Sequence, residues 1–408
     1  MTRFLTILAL VALLTPPAQV ASQEPSLPAV PSPGQISGHI YRADSGEPLS
    51  NAFVVVQSAV DLGVKLGRTA DAGSYVVAGV APGRYWIVVY RAGFIPKGYG
   101  DNTPAPCPNC VTVGSGQKVV GMDLRLVANP SITTMSDDGL NVASSVSACR
   151  ICPVRFSPDG VFLALGTTNA SPSQTRLWLY DMRSKQLVPV MLDLQGLPST
   201  RVPLDLAWAD DDTLYIKHGE EHPYLRLFKL SGVKMAGTNG NPPSFSAQEV
   251  SDVPVNVARE LDRKPEVQND RYIVNLQVTG PGNNSRLVVR LADGSREQDI
   301  ADDVGDFLFD KNRSLAFYLK FADGYPYHVR TIFTVDLNTR GVRETPLPIW
   351  PEGLMAQTQN GSGSLVVYKA QGPCEPDESD IEAEIERIRT RYSTSADRSP
   401  HICFVSLP

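Results

Sequence analysis

The stretch Val154–Gly166, VRFSPDGVFLALG, constrains the fold more than any other part of this chain. It reads as strand, tight turn, strand. Pro158 presets φ at the first turn position and Gly160 accommodates a left-handed one, so the turn is built into its residues. Weaker versions recur at Asp210-Asp211-Asp212, Gln268-Asn269-Asp270, Asp310-Lys311-Asn312 and Gly361-Ser362-Gly363, each before an apolar strand. The steps from Asp159 to Asp211, Asp270, Asn312 and Ser362 are 52, 59, 42 and 50 residues. Three units continue into a third strand ending in a polar turn, at residues 176–181, 224–232 and 331–341. A supersecondary unit repeated at that period implies a β-propeller over residues 149–408. The central count is about five blades, or six if residues 233–268 hold a degenerate one.

The 408 residues allow two or three domains, and 32 Gly with 33 Pro suit many short strands joined by turns. The class is all-β. Residues 1–22 read as a signal peptide. Arg3 supplies the positive region, Phe4 to Leu14 the apolar one, and Val20-Ala21-Ser22 a small-residue cleavage site. The apolar run is too short for a stable membrane span. The mature product is therefore expected to be exported, to a bacterial periplasm or beyond the cell. The whole chain carries a net charge of −6 and no basic cluster, which argues against nucleic acid as a partner.

Residues 23–34, QEPSLPAVPSPG, read as an extended linker. Seven strand candidates then occur within residues 35–127: Gln35–Tyr41, Ala52–Gln57, Val64–Thr69, Ser74–Val80, Arg84–Arg91, Val111–Val113 and Val119–Leu126. Short strands at that density, with turn signals between them, predict a seven-stranded β-sandwich. Residues 128–148 are polar, and are either a linker or the first strand of the repeat region.

The runs GQISGHIY, GEPLSNAFVVV and TADAGSYVVAGVAPGRYWIVVYRAGF resemble the carboxypeptidase regulatory-like domain. That family is a transthyretin-like sandwich, which shares its fold with starch-binding-type modules. Gly38, Pro48, Ala52, Gly73, Tyr75, Pro82-Gly83, Tyr85 and Gly93-Phe94 stand where its pattern places them. The resemblance implies an accessory, non-catalytic module and allows a carbohydrate partner. The Cys107–Cys110 loop is an addition to the pattern. The repeat units in turn resemble the TolB-like (WD40-like) propeller, in which F-S-P-D-G precedes one strand and an L-W-V-x-D-like strand comes after it. That resemblance implies protein partners, here in the cell envelope.

The last unit carries an insertion. Ile381, Ile385, Ile388 and Tyr392 fall on one stripe at helical spacing within Asp377–Tyr392. Acidic residues fill its first half, and Arg387, Arg389 and Arg391 its end, matching the helix dipole. The expectation is a helix clipped onto the final blade, with a partner-docking helix as the alternative. Cys374 and Cys403 bracket it. With Cys107, Cys110, Cys149 and Cys152 they make six cysteines behind a signal peptide, which favours disulfides over zinc or redox chemistry.

Chemistry is harder to place. There is no G-x-S-x-G and no H-E-x-x-H, so neither a serine hydrolase nor a zincin is expected. His218 and His222 have ligand-like spacing, but Gly219 and Pro223 make that stretch a loop. Asp205, Asp210, Asp306 and Asp310 could line a propeller funnel, the basis for an alternative reading as a glycan-active enzyme. Turn and loop roles are the simpler account, Asp210 and Asp310 being turn residues. Along Arg84–Arg91, alternation puts Tyr85, Ile87 and Val89 on the core face and Trp86 with Tyr90 on the outer face. Trp86 and Tyr90 are the candidate binding residues, by stacking on a sugar or a protein, unless that face packs against the propeller or both residues belong to the core. No catalytic residue, metal or cofactor is expected. The chain reads as an exported, non-enzymatic binding or scaffold protein.

Overall fold

The computed structural model describes residues 31–61, 63–100, 110–135, 153–166, 177–193, 204–219, 225–235, 245–261, 267–278, 285–320, 331–349, 351–370, 372–390 and 401–408. The N-terminal segment read as a signal peptide, and Cys107, Cys149, Cys152, His222 and Tyr392, lie outside these residues.

Among the described residues, the first module has nine strands: β1 (Gly34–Arg42), β2 (Phe53–Ser58), β3 (Val64–Arg68), β4 (Ser74–Val80), β5 (Gly83–Tyr90), β6 (Lys97–Gly98), β7 (Val111–Val113), β8 (Lys118–Val119) and β9 (Leu124–Leu126). One sheet runs β4-β1-β8, with β9 also on β1; the other runs β3-β2-β5-β6, with β7 also on β5. Inward residues at alternate positions, among them Ile36, Ile40, Val54, Val56, Val77, Ile87 and Val89, form one core between the sheets. The sequence spacing had indicated seven strands. Val119–Leu126 is in fact two short strands, each parallel to β1. Between them the Met122 N–H donates to the Ser37 carbonyl at 3.1 Å. The Met122 backbone passes so close that a β-carbon at residue 38 would collide with it, which is why Gly38 is glycine. The short edge strand β6 was not visible in the pattern.

After β10 (Ile132–Thr134) the described residues form five sheets. Sheet one comprises β11 (Val154–Phe156), β12 (Phe162–Gly166), β13 (Leu177–Asp181) and β14 (Gln186–Met191). Next are β15 (Leu204–Asp210), β16 (Thr213–His218), β17 (Arg226–Ser231), β18 (Phe245–Ser246) and β19 (Gln248–Val250). Of these, β18 pairs in parallel with β14, and the other four make sheet two. Sheet three is β20 (Val267–Gln268), β21 (Tyr272–Val278), β22 (Ser285–Leu291) and β23 (Glu297–Asp302). Sheet four is β24 (Val304–Asp310), β25 (Leu315–Lys320), β26 (Thr331–Asp336) and β27 (Val342–Pro346). Sheet five is β28 (Pro351–Asn360), β29 (Gly363–Ala370) and β30 (His401–Leu407), completed by β10, which lies antiparallel to β30. Ile132–Thr134 is thus the outer strand of the last sheet. Among the described residues, 233–268 contribute strands to sheets one, two and three and a short helix (Val255–Leu261), but no sixth four-stranded sheet.

The repeated turns join neighbouring sheets. In the first, the Ser157 hydroxyl donates to Asp159 at 2.7 Å and accepts from the Phe162 N–H, while the Gly160 N–H donates to the Ser157 carbonyl. Lys234 ties this turn to sheet two, with Nζ 3.1 Å from Asp159 and 3.0 Å from Asp211. The Asn269 amide donates to the Lys311 carbonyl and the Ser314 hydroxyl, joining sheets three and four. Arg313 donates to the Ser362 and Gly363 carbonyls, joining four and five. Apolar clusters fill the interfaces one–two, three–four, four–five and five–one. Among the described residues no comparable packing joins sheets two and three. There the short helix sets Val257 and Leu261 against Ala207 and Tyr215 of sheet two.

The C-terminal helix (Glu378–Arg389) begins with a capping box: Asp377 accepts from the Asp380 N–H, and Asp380 accepts from the Asp377 N–H. Its apolar stripe does not lie on the final sheet, as the sequence had suggested. Ile381, Ile385 and Ile388 pack on Val55, Val88 and Tyr90, the outer face of the sandwich. Arg68 pairs with Glu378 at the same contact, and its guanidinium lies 4.5 Å from the Phe53 ring centre. The helix sits inside the loop closed by the Cys374–Cys403 disulfide, and Cys403 lies on β30. One covalent loop therefore links the last sheet to the first module. Fixing that 29-residue separation contributes about 3–4 kcal/mol in the chain-entropy description. Cys110 is also disulfide-bonded.

Candidate functional site

The helix changes the standing of the Trp86–Tyr90 pair. Tyr85, Ile87 and Val89 do face the sandwich core, and Trp86, Val88 and Tyr90 the other side. The C-terminal helix covers that side at Val88 and Tyr90. Tyr90 is 3% exposed beneath the helix, and Trp86 is half-buried. Tyr90 thus has no open ring face to offer a ligand.

The four aspartates that the sequence offered as funnel candidates separate by role. Asp210 accepts from the Asp212 N–H, and buried Asp310 accepts from the Asn312 and Arg313 N–H groups; both are turn residues. Asp205 lies half-buried on β15. Asp306 on β24 is the least ordinary. Burial pushes its carboxyl above the usual range, against the two backbone N–H groups of Leu354 and Phe307, each at 2.8 Å. The Leu354 bond fastens sheet four to a bulge in β28, so its visible work is structural. His218 is fully buried on β16. No group of three or more His, Cys, Asp or Glu able to hold a metal ion occurs among the described residues.

A cleft of about 440 Å³ opens on the sandwich, lined by Tyr41, Lys97, Tyr99, Asp123, Leu124 and Arg125 with Gly98 and Gly100. Its walls are the edges of the two sheets: β9 beside β1 on one side, β6 on the other. The parallel register Ile40↔Leu124 and Tyr41↔Arg125 explains the lining. Ile40, Leu124 and Leu126 point into the core, so Tyr41, Asp123 and Arg125 must point out. Tyr99 is fixed through its N–H to the Ile87 carbonyl at 2.8 Å.

Several contacts order these side chains before any ligand arrives. The His39 and Tyr41 rings stack with centroids 5.9 Å apart. Arg125 lies over the Tyr41 ring, 5.5 Å from its centre. Asp123 accepts from the His39 N–H at 2.8 Å, and His39 Nδ1 lies 3.6 Å away. Beneath, the Tyr75 hydroxyl donates to the Met122 carbonyl at 2.7 Å. Burial drives the Tyr75 phenol well above its usual value, and the neighbouring Asp123 and Tyr99 add to the shift. The result is a concave, pre-set surface of aromatic rings and charges.

None of these lining residues was singled out from sequence, because they come from positions 41, 97–100 and 123–125. The visible signal was the outward parity of Tyr41 and Arg125 on their strands.

Residues 35–127 match the family model of the carboxypeptidase regulatory-like domain. The cleft belongs wholly to that domain. No curated protein matches the chain. Among solved structures, the group B streptococcus pilus 2b backbone protein is 17% identical over 23% of this chain and 41% of its own, with a TM-score of 0.17. The tricorn protease is 13% identical over 79% of this chain and 27% of its own, with a TM-score of 0.19. An auxiliary nutrient binding protein from Bacteroides thetaiotaomicron VPI-5482 is 9% identical over 92% of this chain and 98% of its own, with a TM-score of 0.29. The chain thus spans less than half the length of the first two, and likenesses this distant carry no argument about its fold or its work.

Proposed function

We propose that the protein is an exported, non-catalytic binding protein whose sandwich cleft takes a carbohydrate of the cell envelope or its surroundings. The observation that carries this reading is the pre-ordered cleft lined by Tyr41, Tyr99, Lys97, Asp123 and Arg125. Rings flanked by hydrogen-bonding charges suit a sugar, whose faces are apolar and whose hydroxyls need partners. Export is supported by the character of residues 1–22 and by the Cys374–Cys403 bond, which persists in oxidising compartments. In this reading the five sheets are the blades of a five-bladed TolB-like propeller, with β10 closing the last blade and the C-terminal helix locking the binding module to it. The propeller faces would meet an envelope protein.

The test is binding of the mature chain to arrays of glycans and envelope proteins, beside Tyr41→Ala and Tyr99→Ala. The expected result is a glycan signal that falls at least about tenfold in both variants, with the melting temperature held in Tyr41→Ala; Tyr99 also packs against the sandwich core, so its variant loses stability as well. Glycan binding unchanged in both variants would remove the cleft from the account, and binding to no glycan would remove the carbohydrate.

A further inference from the structure

The charges of the cleft point to a narrower ligand class. We propose that Arg125 and Lys97 form an anion receptor, so that the ligand is an acidic oligosaccharide held through a carboxylate or sulfate group. The proposal rests on the cleft being the carbohydrate site.

The lining carries two cations against one carboxylate. Asp123 is already engaged by the backbone N–H of His39. Among the described residues, neither Lys97 nor Arg125 forms an ion pair. The contrast with the neighbouring strand position is direct: Arg42 is paired with Asp44 at 2.8 Å through two hydrogen bonds. Arg125 is the register partner of Tyr41, one residue earlier on β1, and meets a ring instead of a carboxylate.

That arrangement has a chemical consequence. A guanidinium lying over an aromatic ring is oriented by the ring's negative face, while its N–H groups stay available in the plane. The guanidinium fork matches the spacing of carboxylate or sulfate oxygens, and a charge-assisted bidentate contact is stronger than a neutral one. Lys97, on the facing edge strand, adds a second positive charge whose position tolerates different sugars. Asp123 then has a selective role. It can accept from ring hydroxyls, and it repels an anion placed on its side of the cleft, which fixes the direction of the chain. A neutral glycan would leave the two cations without partners and would gain only the rings and Asp123.

The experiment uses calorimetry on the mature protein with three acidic probes, namely trigalacturonate, sialyllactose and a heparin-derived hexasaccharide. The neutral controls are the methyl ester of trigalacturonate and lactose, and a short polyglutamate peptide supplies anions without a sugar. At least one acidic sugar should bind ten times or more tightly than the neutral controls, and its affinity should fall as salt is raised. Arg125→Gln should remove at least tenfold of that preference, and Lys97→Gln a smaller part, with unchanged melting temperatures. Equal binding of neutral and acidic sugars would overturn the anion receptor and leave the carbohydrate reading standing. An unchanged preference in Arg125→Gln would overturn it too. Polyglutamate binding as tightly as the acidic sugars would replace the sugar with an acidic peptide. Binding to no sugar would overturn both the receptor and the reading beneath it.

Discussion

Asp159 shows how much a single carboxylate can organise. Burial alone would push its carboxyl up, but the Ser157 hydroxyl, the Val161 N–H and Lys234 outweigh this and hold it below the usual range. A group stabilised in its charged form contributes fully above its unfolded pKa of about 3.9, and loses that contribution as pH falls through the lower folded value. Asp159→Ala should therefore cost about 1–2 kcal/mol in urea unfolding at pH 7, and markedly less near pH 2.5. A penalty equal at both pH values would contradict this. Gly160 in the same turn has φ +70°, and a β-carbon there would lie 2.9 Å from Thr358 of sheet five. Gly160→Ala should cost about 1–3 kcal/mol by the same measurement. This turn was legible from four residues because the bonds that close it, among Ser157, Asp159, Gly160, Val161 and Phe162, are local. The role of Asp306 was not, since one of the two N–H groups that bond it belongs to Leu354, 48 residues away.

The C-terminal helix shows what a stripe can and cannot say about an element. Its position and its buried isoleucines could be read from spacing and charge, while its capping box was not read. Its docking partner could not, because an apolar stripe fits any apolar surface. The missing information sat elsewhere, in β2 and β5. Their runs FVVV and WIVVY are apolar at both parities, which is how strands covered on both faces read. Val54 and Val56 serve the sandwich core, while Val55 serves the helix. Ile385→Ala should cost about 2–4 kcal/mol and raise amide exchange in both the helix and β2–β5. Exchange rising in the helix alone would mean that the contact is not a working interface. Replacing Cys374 and Cys403 together by serine should lower stability by about 3 kcal/mol without altering the sandwich core.

At the scale of the whole molecule, two segments distant in sequence carry the account. The first is β10, which completes the fifth sheet from before the first, so that 132–134 and 401–407 stabilise each other. Ile132 is buried among sheet-four and sheet-five residues, and Ile132→Ala should cost about 2–4 kcal/mol, read as a single lowered unfolding transition. The second is the cleft, where strand edges bring together positions 41, 97–100 and 123–125. The repeat and the sandwich were legible because the strands and turns of each unit are written locally, in residues close together in sequence. The cleft was not, because two separate edges make it. Amide exchange of the mature protein, with and without its tightest-binding oligosaccharide, tests the central claim most directly. The account predicts slowed exchange centred on residues 97–100 and 122–126. Slowing confined to the turns of the five sheets, with the sandwich unchanged, would contradict it.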